Sequence, residues 1–287
     1  MIKNRFVNLG IITLIYILAA IVGLISYNFF STTTLFSQEG GLNWALSVFL
    51  ADVAATILVF IFSLIFNNAS VYDPYWSVQP PVILAIALYK CEANLLSILL
   101  FAAVLFWALR LTINWAYNFK NFEYQDWRYV MLKEKTKKFY LLINFLGIHL
   151  FPTCVVYLCI MPAVTATYMQ AEFNPLCIIF IVLCFCAAIF QGIADIQMHK
   201  FRNSKQGGFI RTGLWKKSRH PNYACEILMW WGIGLASITA LGFSYWWLLA
   251  GALVNTLMFV FVSIPMADKR QSRKPGFEEY KKQTRML

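Results

Sequence analysis

The residues best placed for chemistry lie between positions 191 and 226. Gln191, Asp195, His199 and Arg202 follow one another at spacings of four, four and three. A helix turns about 100° per residue, so these four share one face. They end an apolar run, where a lipid-facing stripe would carry no such groups, and ionisable residues inside a membrane usually face a cavity or a partner. An Asp–Arg pair that staples two helices would give the same pattern. Between 200 and 221 the chain has seven basic residues and no acidic one. His220-Pro221-Asn222-Tyr223 follows, then Glu226. Proline suits a first helical turn, which puts Asn222 and Glu226 one turn apart on a shared face. Free N–H groups at such a helix start, beside Arg219 and His220, suit an anion. A loop that binds lipid headgroups would also be basic. It would not explain Glu226, a carboxylate at the start of an apolar span that needs a hydrogen-bonding partner.

The elements that must position these groups are membrane spans. The 287 residues are 60% hydrophobic and 13% charged, with a mean hydropathy of +0.62, far from a soluble domain's composition. Against the roughly 20 apolar residues a bilayer requires, eight candidate runs fall near 9–30, 43–66, 76–90, 94–118, 139–161, 174–198, 222–241 and 243–264. The third is short and begins among Pro74, Pro80 and Pro81. The last two form a tight hairpin at Gly242. The sequence therefore predicts an all-α, multi-spanning transmembrane helix bundle. The first run, behind Lys3 and Arg5, lacks a cleavage signal and reads as a retained span.

Charge placement agrees with eight spans. Of 24 Lys and Arg, 22 lie at the N-terminus and in 119–138, 199–221 and 268–287, leaving Lys90 and Arg110. Eight crossings put all these blocks on one side, with both termini cytoplasmic. The net charge of +11 thus belongs to loops beside a bilayer and implies no nucleic-acid partner. Arg110, inside the fourth span, costs about 2.5–3.5 kcal/mol on insertion and calls for an acidic partner, Asp73 or Asp52. Three histidines, with no HExxH or CxxC, predict no metal site. The seven cysteines read as small packing groups. Gly232-Ile233-Gly234 lies within a span, without the strand–turn–helix setting of a dinucleotide fold.

The segment GLWKKSRHPNYACEILMWWG, residues 213–232, resembles the signature of the steroid 5-alpha-reductase-like membrane family, above all its large branch of unassigned function. Four further elements match in order: Asp73-Pro74-Tyr75-Trp76, Trp107-Ala108-Leu109-Arg110-Leu111, Gln125-Asp126-Trp127-Arg128-Tyr129, and Asp268 and Arg270 with Tyr280. The resemblance covers about 45–287. It implies a family domain at 43–287, preceded by an extra N-terminal span and connector at 1–42. It also implies NADPH in the cytoplasmic half of the bundle. Asp195 and Arg202 match residues that hold the nucleotide portion, and Asn222 and Glu226 those at the nicotinamide side. Arg219, His220 and Tyr223 flank them, toward phosphate or ribose, and Arg270 lies in the segment that closes over the cofactor. Glu226, Asp73 and Tyr75 are the catalytic candidates. One departure matters: the family's substrate-polarising Tyr is Trp107 here, and indole cannot protonate a substrate; Tyr72, Tyr75 and Tyr117 are the other possible sources of a proton.

The implied activity is a membrane-embedded, NADPH-dependent reduction of a carbon–carbon double bond in a lipid or steroid-like substrate. Related isoprenylcysteine carboxyl methyltransferases share a similar Arg-His-Pro-x-Tyr helix start and bind S-adenosylmethionine, so lipid methyl transfer is the alternative. A non-catalytic membrane scaffold is the third reading. The host membrane would be the endoplasmic reticulum in a eukaryote and the inner membrane in a bacterium. Oligomeric state is open.

Overall fold

The computed structural model describes residues 4–33, 41–205 and 207–287. Lys3 and the connector segment 34–40 lie outside them. Among the described residues, the regular elements are all helical. They are α1 (Arg5–Thr32), α2 (Gly41–Ile65), α3 (Tyr75–Lys90), α4 (Leu95–Asn118), α5 (Trp127–Thr136), α6 (140–168), α7 (Cys177–Asn203), α8 (Pro221–Leu241), α9 (Phe243–Gln271) and α10 (Phe277–Gln283).

Seven segments among these residues are long and apolar enough to cross a membrane. The segment expected as the third span is α3, which has 16 residues. At 1.5 Å per residue it reaches about 24 Å, short of the roughly 30 Å hydrocarbon core. Pro80 and Pro81 lie inside it and remove two backbone donors.

The chain divides into two compact units, one of residues 1–83 and 111–157, the other of 84–110 and 158–287. In the first, Ile12, Ile15 and Ala19 of α1 are buried in one cluster with Ala55 and Val59 of α2. Small side chains allow the approach: a Cβ on Gly23 would lie 3.7 Å from the Ala51 carbonyl. The α2–α3 loop is pinned by Asn68. Its amide donates to the carbonyls of Phe122 and Tyr124, at 2.7 and 2.9 Å, while its Oδ1 accepts from Ser70 N–H. The span α6 opens with a π-helical stretch, Asn144–Leu150.

In the second unit, α7 and α8 pack closely. A side chain at Gly232 would meet Cys184 Sγ and the Phe180 carbonyl, so that glycine serves helix contact. Cys177 and Cys184 donate to carbonyls of α8, and all seven cysteines are free thiols. The loop between α7 and α8 folds back on α7 through Trp215 Nε1, which donates to the Ala194 carbonyl at 3.1 Å, and Leu214 N–H, which donates to Gln197 Oε1 at 2.9 Å. Gly213 makes the turn with φ +60°, and a Cβ there would overlap Gln197.

Candidate functional site

Glu226 sits in the first turns of α8 and is only 2% exposed. Its carboxylate receives three N–H donors. Trp107 Nε1 (α4) and Gln191 Nε2 (α7) donate to Oε2 at 2.8 and 2.7 Å, and Trp230 Nε1, one turn along α8, donates to Oε1 at 2.9 Å. The two indoles meet edge to face at 4.8 Å. Apolar rings thus exclude water while their N–H groups satisfy the charge. Trp107 therefore gives this position a donor that holds an acid in place. The amide orientation of Gln191 is set by the carboxylate, which leaves its Oε1 buried and without a donor.

One turn further along α7, Asp195 accepts from Arg110 Nη1 at 2.6 Å. Arg110 was expected to pair with Asp73 or Asp52. It pairs with Asp195 instead, its stem lying against α7 at Gly192, where a Cβ would be in ordinary contact with Arg110 Cδ at 3.5 Å. Arg110 Nε and Nη2 are buried and unpartnered. Arg110 on α4 thus keeps unpaired donors and Gln191 on α7, four residues before Asp195, an unpaired acceptor, each beside a fixed carboxylate: Asp195 for Arg110 and Glu226 for Gln191.

Arg219 and His220 are engaged elsewhere. His220 Nε2 lies 2.9 Å from Asp268 Oδ1, and Arg219 Nη2 lies 3.3 Å from Asp268 Oδ2. Arg219 Nη1 also donates to the carbonyls of Lys281 and Thr284. Arg219 N–H donates to the Arg285 carbonyl and Arg285 N–H to that of Lys217, while the Tyr280 hydroxyl donates to the Trp215 carbonyl. The C-terminal segment is thereby latched onto the basic loop. Arg219 keeps one unpartnered buried donor, Nε. Tyr223 stacks its ring on His220 at 5.3 Å, and Asn222, before it, is half-buried.

Arg202 is exposed at the end of α7, and Lys274 donates to the Gly208 carbonyl at 2.7 Å. Burial and the neighbouring Arg270 and Arg202 cations hold the Lys274 ammonium below its ordinary range. Among the described residues, no group of His, Cys, Asp or Glu suits a metal.

Asp73 and Tyr75 belong to the first unit and are described within it. Asp73 accepts from the Tyr129 hydroxyl at 2.6 Å, and burial pushes its carboxyl up to about 6. The Tyr75 hydroxyl donates to Asp52 Oδ1 at 3.1 Å. The other eight candidates lie in the second unit.

Residues 59–284 match the profile of a family described as "Protein of unknown function (DUF1295)". The chain belongs to this family. DUF1295 falls within the steroid 5-alpha-reductase-like membrane group, in line with the resemblance carried by residues 213–232. No curated protein and no solved structure matches the chain. The DUF1295 match spans the Glu226 cluster and all of the C-terminal latch except Arg285. Sequence reasoning missed four participants: Trp107 and Trp230 as donors, Gln191 as the free acceptor and Arg110 as the free donor. The stripe at 191–202 pointed to Gln191, and the insertion cost of Arg110 pointed to a partner.

Proposed function

We propose that the second unit binds NADPH and directs reduction of an activated carbon–carbon double bond in a lipid that enters from the bilayer. One observation carries this reading: after internal pairing, Arg110 of α4 is left with buried donors and Gln191 of α7 with a buried acceptor. Both hydrogen-bonding senses are therefore available to a ligand, as a carboxamide demands. Arg202 lies two helical turns beyond Asp195, about 10 Å along the axis. There Arg202, Arg270 and Lys274 gather positive charge suited to phosphate. A ligand with an amide at one end and phosphates toward the other fits this donor set.

NADPH, when bound, supplies hydride. The chain's own part is to bind, orient and exclude water. Glu226 acts as a positioning residue, since it fixes the Gln191 amide. Gln191 Oε1 accepts an N–H, and Arg110 Nε and Nη2 donate to an oxygen. Trp107 and Trp230 keep the site dry, which strengthens each of these bonds. The cation cluster favours a nucleotide diphosphate over S-adenosylmethionine, whose sulfonium carries positive charge of its own.

The test is to purify the protein in detergent and identify small molecules that accompany it by mass, then titrate NADPH into wild type and Asn222→Ala. A nicotinamide dinucleotide mass and weakened binding by the variant are expected. An S-adenosylmethionine mass, or equal binding by both proteins, would overturn the reading.

A further inference from the structure

The first unit contains a second buried polar cluster inside the membrane segments, which the nucleotide reading does not use. Asp52 and Thr56 (α2), Tyr72, Tyr75 and Gln79 (in and before α3), and His149 and Thr153 (α6) are each at most 5% exposed. They form two hydrogen-bonded sets that meet where the rings of Tyr72 and Tyr75 lie 5.5 Å apart. Tyr75 donates to Asp52 Oδ1 and Gln79 Nε2 to Asp52 Oδ2. The Tyr72 hydroxyl lies 2.8 Å and the Thr56 hydroxyl 3.1 Å from Thr153 Oγ1. Thr153 in turn donates to the His149 carbonyl at 2.9 Å. The rings of Tyr72 and His149 meet at 4.9 Å.

Assigning the protons shows what is left over. Thr153 spends its proton on His149, so Tyr72 and Thr56 donate to Thr153, and Tyr75 donates to Asp52. Every hydroxyl proton in the two sets is committed. His149 Nδ1 faces the Asn144 carbonyl at 2.9 Å and must therefore carry the ring hydrogen. An imidazolium here would be an unpaired buried charge, so the ring is neutral and Nε2 is a bare lone pair. That Nε2 is buried and unpartnered, as are Gln79 Oε1 and Asn144 Oδ1. All three are acceptors. In hydrocarbon each is costly without a donor.

His149 and Asn144 both lie on the π-helical stretch at the start of α6. Such stretches carry a surplus residue and cluster at functional sites. Leu146 on the same stretch and Leu142 just before it are exposed and face the surroundings from which a lipid would come.

We infer that this cluster is a site for the hydroxyl group of an amphipathic alcohol, which donates its proton to His149 Nε2. A ketone, ester or ether oxygen would meet only acceptors there. The claim stands apart from the nucleotide reading and is tested without NADPH.

The experiment uses full-length protein in detergent and a long-chain primary alcohol carrying a diazirine photolabel, with labelled peptides mapped by mass. Labelling is expected on α2, α3 and the first half of α6. An unlabelled long-chain alcohol should compete at least tenfold better than its methyl ether. In His149→Phe, which keeps a ring of similar shape, labelling of these segments should fall about tenfold. Equal competition by alcohol and ether, or labelling spread over lipid-facing residues and unchanged in His149→Phe, would overturn the inference. Should His149→Phe fail to fold, the alcohol-to-ether ratio on wild type decides alone, with Gln79→Leu as the second variant: a tenfold loss of labelling is expected, and unchanged labelling counts against the site.

Discussion

Glu226 in the second unit and Asp52 in the first are both buried acidic side chains inside membrane helices, yet they leave opposite chemistries behind. Around Glu226 the donors are N–H groups of two indoles and an amide, and the pairing leaves free donors on Arg110 and a free acceptor on Gln191. Around Asp52 the donors are a phenol and an amide, and the connected hydroxyls consume one another's protons. Only acceptors remain at Gln79, Asn144 and His149. A buried polar network is read less by its bonds than by the groups those bonds leave unpaired, because these alone can reward a ligand.

The largest effect should come from Glu226→Ala. Three buried N–H donors lose their acceptor at once, at about 1–3 kcal/mol each. We expect the thermal unfolding midpoint in detergent to fall further than for any other single variant at this site, and a loss below about 2 kcal/mol would mean the carboxylate is not the hub.

Arg110→Ala comes next. It leaves Asp195 unpaired at a cost of about 3 kcal/mol. The double variant Arg110→Ala/Asp195→Ala should regain most of that stability without regaining NADPH affinity. Recovery of both would reduce the pair to a helix staple.

Lys274→Ala and Arg202→Ala should change stability by less than about 0.5 kcal/mol. NADPH binding at low ionic strength should weaken about fivefold, and the difference should shrink in high salt. A salt-independent change would place these cations away from the phosphates.

Asp73 gives an effect that shows only as a dependence on pH. Its folded-state carboxyl titrates at about 6, against an ordinary 3.8, so the native state holds the proton more tightly than the unfolded chain. Its contribution to stability is full below pH 3.8 and is lost as pH rises through about 6. Asp73→Asn should flatten the stability profile over that window relative to wild type, as measured by denaturation at successive pH values.

Much of this arrangement is legible in residue order. Helical periodicity puts Gln191, Asp195 and Arg202 on one face, and Pro221 starts α8 as its type demands. What residue order does not carry is pairing between helices. Residue order offers Arg110 several carboxylates, and only the packing of α4 against α7 brings it to Asp195. Trp107 reads in sequence as a lost proton donor because the pattern concerns the substrate, whereas its N–H serves Glu226. The latch from Arg219 and His220 to Asp268 joins residues 48 and 49 positions apart, and the π-helical stretch of α6 has no periodic signature. The short α3 was visible through its prolines. The placement of both termini on one side depends on whether α3 crosses: a crossing would expose Cys91 to an impermeant maleimide from the side opposite the basic loops, and labelling from the basic side alone would contradict it.

The most direct measurement is calorimetric titration of NADPH into detergent-purified wild type and Gln191→Leu. Gln191→Leu removes the free acceptor and one of the three donors on Glu226, so NADPH should bind wild type and bind the variant at least tenfold more weakly, the equivalent of about 1.4 kcal/mol. Identical affinities, or no binding to either protein, would contradict a nucleotide site built on the unpaired groups of Gln191 and Arg110.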